Sequence, residues 1–124
     1  MRHTARNIVT TACSLAVLAG ALMLTAVPSA MAADSAIEKG KALAFDRKKG
    51  NCLACHAMDD GDLPGNIGPP LISMSLRFPD KAVLRSQIWD ATIKNPNSIM
   101  IPFGRMGVLS DSEIDQIVEY VYTL

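Results

Sequence analysis

The clearest periodic stretch is the last one. Ile114, Ile117, Val118 and Val121 recur at helical spacing, and Ser110-Asp111-Ser112-Glu113 stands in front of them. A Ser with Glu three residues on is a capping box, so a helix is predicted with Ser110 as its N-cap. An earlier stretch, Lys81 to Lys94, puts Val83, Leu84, Ile88 and Ala91 on one side with Trp89 beside it, and Asn95-Pro96 stops it. A third, from about Ser35 to Lys49, is rich in Ala, Lys, Leu and Glu; Ile37, Gly40, Ala44 and Lys48 share a face, and Gly50 ends it. The segment from Asp59 to Pro79 carries four prolines and three glycines and reads as loop. No stretch alternates with period two for long enough to make a sheet. The pattern predicts an all-α fold of about three main helices with a loop-rich middle.

The N-terminal apolar run has a different character. Arg2 and Arg6 form a basic head, the apolar density peaks from Leu15 to Leu24, and Pro28 precedes Ser29-Ala30-Met31-Ala32-Ala33. A basic head, an apolar core and an Ala-x-Ala site describe a secretory signal, cut after Ala32. The competing reading is an uncleaved anchor. Ile8 to Val27 is just long enough to span a bilayer, but Thr10, Thr11, Ser14 and Thr25 dilute it. Cys13 lies before the apolar core, which does not suit a lipoprotein site. Arg2 and Arg6 are not adjacent, so twin-arginine export is not indicated. The expected organisation is a signal peptide over 1–32 and one domain over 33–124, located in the periplasm with no stable membrane insertion.

Removing the signal alters the inventory. The 124-residue chain has a formal net charge of zero, whereas residues 33–124 hold 10 Lys plus Arg against 12 Asp plus Glu. No basic patch points to nucleic acid. The six aromatic residues make only a modest core for a chain this size, which a large apolar cofactor would help to fill. Cys13 and His3 leave with the signal, so Cys52, Cys55 and His56 are the whole thiol and imidazole content of the domain.

Those three residues form one Cys-x-x-Cys-His motif. A thioredoxin-type redox pair needs a preceding strand and a βαβ context, and here the motif follows a helix. A structural zinc site needs four ligands, and the domain supplies three. Covalent haem c uses the arrangement directly: two thiols add to the haem vinyl groups, and the adjacent imidazole becomes the proximal iron ligand. The other imidazole nitrogen needs a partner to fix the ring, and a carbonyl of the Gly68-Pro69-Pro70 turn is the candidate. A second His or Cys ligand is excluded, which leaves methionine, lysine, the N-terminal amine or an open site. Methionine is the usual partner at raised potential. Met58 is too close to His56 to reach the opposite face, and Met74 reads as core filler. Met100 and Met106 share the loop NSIMIPFGRMG, and Pro102 stiffens it close to Met100, which is the favoured choice.

With these residues assembled, the chain resembles class I cytochrome c. Its segments GKALAFDRKKGNCLACHAM, PGNIGPPL, QIWDATIKNPNSIMIPFG and LSDSEIDQIVEYVYTL are similar to those of the SoxX branch, the small subunits of periplasmic sulfur-oxidation SoxAX complexes. The resemblance implies a class I cytochrome c fold around one covalent haem c, held by Cys52 and Cys55, with His56 and Met100 axial. The branch usually reads Met-Pro-Pro-Phe-Gly in the ligand loop, and Ile101 replaces the first proline here. It also implies partners: a monohaem or dihaem SoxA-type subunit with a cysteine-ligated haem, a SoxYZ-type carrier whose cysteine receives thiosulfate, and a downstream cytochrome. The chain would be the non-catalytic electron-transfer subunit of an L-cysteine S-thiosulfotransferase complex, with the catalytic cysteine in the partner. Its lack of a spare thiol, histidine or nucleophile pair agrees with that division. Two other classes compete: a freestanding cytochrome shuttling between respiratory complexes, recognised by a stable monomeric state, and a haem sensor with an open iron site, recognised by tight carbon monoxide binding.

Other residues take plain readings. Trp89 is core against the cofactor, not an electron relay. Tyr120 and Tyr122 pack the last helix on the first, and Gly40 either lets those helices approach or is incidental. Lys48, Lys49 and Arg105 are solvated charges in the absence of an acidic partner.

Overall fold

The structure, a computed structural model, describes residues 29–124. Its helices are α1 (Ser29–Phe45), α2 (Met74–Arg77), α3 (Lys81–Trp89) and α4 (Asp111–Val121), with a 3₁₀ turn at Cys52–Ala54. There is no strand among the described residues, as the periodicity predicts. The basic head and apolar run assigned to export lie outside the described residues. No described helix is long and apolar enough to cross a membrane.

Helix α4 forms as its sequence predicts. Ser110 Oγ accepts from Glu113 N–H, while Ser110 N–H donates to the Glu113 carboxylate at 2.8 Å, so both halves of the capping box are present. Ile114, Ile117, Val118, Tyr120 and Val121 are buried and make one wall of the core. Helix α1 is the principal partner of α4, and α3 packs on it as well. The α1–α4 approach is close at Gly40, where a Cβ would run into the Gln116 carbonyl and lie 2.9 Å from Tyr120 Cβ. Gly40 is therefore a packing requirement. Phe45 meets Tyr120 edge-on at 6.3 Å between centroids.

Three expectations shift. Helix α1 ends at Phe45, short of Lys49, because Asp46 takes the Lys48 N–H on its carboxylate and the Asn51 and Lys49 N–H groups on its carbonyl. Lys48 is consequently exposed and off the buried face. Helix α3 ends at Trp89, short of Lys94, because Asp90 adopts an extended backbone (φ −157°, ψ 96°). Val83, expected on its apolar side, is exposed, whereas Leu84, Ile88 and Ala91 are buried. The polar contacts of Tyr122 are with the start of α3: its hydroxyl donates to Pro79 O at 3.0 Å and its ring lies 4.7 Å from Lys81 Nζ.

Candidate functional site

The site begins where α1 stops. Asn51 takes a left-handed backbone (φ 46°), and the 3₁₀ turn follows. Within it Cys55 N–H and His56 N–H both donate to Cys52 O, at 3.1 and 2.9 Å, so Cys52, Cys55 and His56 are drawn around one tight turn. Both thiols are free and half-exposed or less. Burial pushes the Cys52 thiol up to about 11, and the neighbouring Cys55 adds to the shift, so the free thiol is neutral at pH 7.

The 65–71 loop is laced onto this turn by backbone bonds: Gly65 N–H to Leu53 O at 2.9 Å, Gly68 N–H to Cys55 O at 2.8 Å and Leu71 N–H to Ala57 O at 2.8 Å. The lacing brings Pro69 O to 2.7 Å from His56 Nδ1. A carbonyl can only accept, so Nδ1 carries a proton, which leaves Nε2 as the nitrogen that can serve as a ligand. This is the orienting bond sought in the Gly68-Pro69-Pro70 turn. Gly68 lies against the imidazole, and a Cβ there would sit 2.5 Å from Nδ1. The guanidinium of Arg77 donates to Pro70 O at 2.9 Å and holds the far side of the same turn. Sequence pattern alone did not reveal Arg77, because nothing in its spacing marks a tie to a loop seven residues upstream.

The four methionines separate by burial. Met58 and Met74 are in the core, and Met106 is 66% exposed. Met100 is half-buried against the core, with its N–H donating to Ser98 Oγ at 3.3 Å. The charges read as solvated are largely paired: Lys49 Nζ with Glu113 at 2.8 Å and Arg105 Nε with Asp90 at 3.0 Å. Asp90 was not singled out by sequence, although a lone acid between Trp89 and Ala91 on an apolar side was a usable sign. Trp89 is half-buried, with its ring over Gly104.

The donor set suits haem c better than a bare ion. Among the described residues no group of three or more His, Cys, Asp or Glu is arranged to hold a metal ion. Two free thiols beside an imidazole with an open Nε2 instead match covalent tethering plus axial ligation. Ile67 and Ile72 (62% exposed each) and Leu76 lie in the segment around Pro69, and Ile99 and Ile101 lie either side of Met100; all five are exposed apolar side chains.

The family model described as "Cytochrome C oxidase, cbb3-type, subunit III" matches residues 35–121. The chain is also similar to a protein of Aquifex aeolicus (strain VF5) named "Uncharacterized lipoprotein", with 38% identity over 76 residues. That match covers 60% of this chain and 37% of the relative, so the chain spans well under half of the relative's length.

Proposed function

The chain belongs to the cytochrome c family described as cytochrome C oxidase, cbb3-type, subunit III, and we propose that within it this protein is the electron-transfer subunit of a periplasmic thiosulfate-oxidising complex of the SoxAX type. Family membership makes it a c-type cytochrome with covalent haem c and an all-α class I cytochrome c fold, acting in electron transfer. The sulfur role is carried by one observation: the segments GKALAFDRKKGNCLACHAM and QIWDATIKNPNSIMIPFG read like the SoxX branch. Export of the domain after Ala32 suits this role, and a relative named as a lipoprotein is in keeping with it.

When bound, haem c supplies one-electron exchange between ferric and ferrous iron. The chain's own residues fix where that happens. Cys52 and Cys55 tether the group, and His56 offers Nε2 while Pro69 O holds Nδ1–H and keeps the ring in one orientation. Met100 offers a thioether, whose preference for ferrous iron raises the potential. Joining thiosulfate to a carrier thiol forms one S–S bond and releases one proton and two electrons. With one Cys-x-x-Cys-His motif, the chain takes those electrons singly and passes each on before the next. With Cys13 in the export segment, residues 33–124 have no thiol left over to carry a sulfur adduct, so the bond-forming cysteine is assigned to a partner subunit and the acceptor cysteine to a separate carrier protein.

The test is a native mass of the protein isolated from its own periplasm, with every co-purifying chain identified. A stable complex with a second c-type cytochrome that carries a cysteine-ligated haem is the expected result. A bare monomer with fast electron self-exchange overturns the subunit role and makes the protein a mobile carrier.

A further inference from the structure

The loop that carries Met100 is tied at its neck. Helix α3 stops at Trp89, and Arg105, 15 positions on from Asp90, returns beside it. Trp89 O accepts from Gly104 N–H at 3.0 Å and Arg105 N–H at 3.4 Å. Gly104 sits so close to the Trp89 indole that any Cβ would enter the ring. The Asp90 carboxylate lies between the two ends, and the residue is 3% exposed. Its Oδ1 accepts from Thr92 N–H at 2.9 Å and Thr92 Oγ1 at 2.5 Å, and its Oδ2 meets Arg105 Nε at 3.0 Å. Arg105 itself is 55% exposed, so the pair joins a buried anion to a surface cation.

Inside the loop, local ties are sparse where they matter. Ser98 N–H closes a turn onto Asn95 O at 2.8 Å, and buried Phe103 anchors the far limb by accepting from Val108 and Leu109 N–H. Met100 stands between these fixed points with only the Ser98 Oγ bond of its own, and Ile99 and Ile101 beside it are exposed. Its position therefore depends on how the two limbs are held together.

We propose that the Asp90–Arg105 pair clamps the neck of this loop and thereby holds the Met100 thioether at the iron, which makes Asp90 a positioning residue for the sixth ligand. The inference rests on reading Met100 as that ligand. The Thr92 hydrogen bonds, and secondarily the Arg105 charge, hold the Asp90 carboxyl below the usual carboxylate range, as a clamp that stays ionised requires.

The experiment uses holoprotein with two readouts: the weak red absorption that a thioether gives on ferric haem, and affinity for added imidazole. Asp90→Ala loses much of the band and binds imidazole about tenfold more tightly, as expected when the population with Met100 off the iron rises by that factor. Arg105→Gln, a surface change that leaves both Thr92 bonds to Asp90, moves both readouts the same way by less, and decides the matter where Asp90→Ala does not accumulate. Lys81→Ala removes a different ion pair, with Glu119, and leaves both readouts at wild type, which separates positioning from general loosening. Met100→Leu abolishes the band. A Met100→Leu variant that keeps the band overturns the ligand reading and the clamp with it. A lost band in Met100→Leu, with wild-type band and imidazole affinity in both clamp variants, overturns the clamp alone.

Discussion

At His56, one carbonyl decides what the ring can do. Pro69 O accepts a hydrogen bond from Nδ1–H at 2.7 Å, and Gly68 leaves the imidazole just enough room to reach it. Adding a single methyl group there tests that fit. Gly68→Ala places a Cβ 2.5 Å from Nδ1, and the backbone on which it stands is tied by Gly68 N–H to Cys55 O. Neither side can yield cheaply, so the variant should destabilise the holoprotein by about 1–3 kcal/mol, the usual range for overpacking. Guanidinium unfolding followed at the haem absorption would measure it, and an unchanged midpoint would mean the ring has slack. This part of the site was legible in the sequence because motif and turn are local features 13 residues apart, joined by backbone bonds. The Arg77 tie to Pro70 O was not, since one long side chain can reach many carbonyls.

At the scale of elements, the helices divide by what fixes their ends. Helix α4 was readable in full because its cap is local: Ser110 and Glu113 satisfy each other, and the apolar spacing follows at once. The ends of α1 and α3 were not. Each was overextended by four or five residues because a carboxylate competes with the helix: Asp46 captures the N–H groups just after α1, and Asp90 turns to Thr92 and Arg105. The second competition depends on a residue 15 positions away, which propensity does not register. The α4 cap also carries a charge link, since Glu113 reaches Lys49 at 2.8 Å and thereby joins the turn after α1 to α4. Lys49 first, and then the Ser110 bonds, lower the Glu113 carboxyl from near 4.5 to about 2. A depressed carboxyl stabilises the fold fully above pH 4.5 and loses that contribution as pH falls towards 2. Glu113→Gln should therefore lower the unfolding midpoint at neutral pH and flatten its decline between those values. Parallel acid limbs for the variant and the parent would show that the link is solvent-screened. Ser110→Ala should cost about 1 kcal/mol at any pH above that window.

For the whole molecule, the question is how much of the fold the polypeptide supports alone. The core is real: Ala44, Leu84, Ile114, Ile117, Val118 and Val121 are buried around the α1–α4 contact, with Met58 and Met74 filling beside them. Outside it, Ile67, Ile72, Leu76, Ile99 and Ile101 are exposed, in the segments around Pro69 and Met100. A domain of this size buries only a modest share of its surface, so leaving five large apolar side chains in water is a substantial deficit. A covalently held apolar ring packed against these side chains would reduce it. The pair Cys52→Ala and Cys55→Ala, which prevents covalent attachment, should consequently keep helical content from α1 and α4 while losing a sharp unfolding transition and gaining binding of an apolar fluorescent dye. Circular dichroism, denaturant titration and dye fluorescence on the variant and the holoprotein would decide. If the variant unfolds at the holoprotein's midpoint and binds no dye, the exposed isoleucines are not a haem lining. They would then be surface held for a protein partner, and the cofactor would serve electron transfer without supporting the fold.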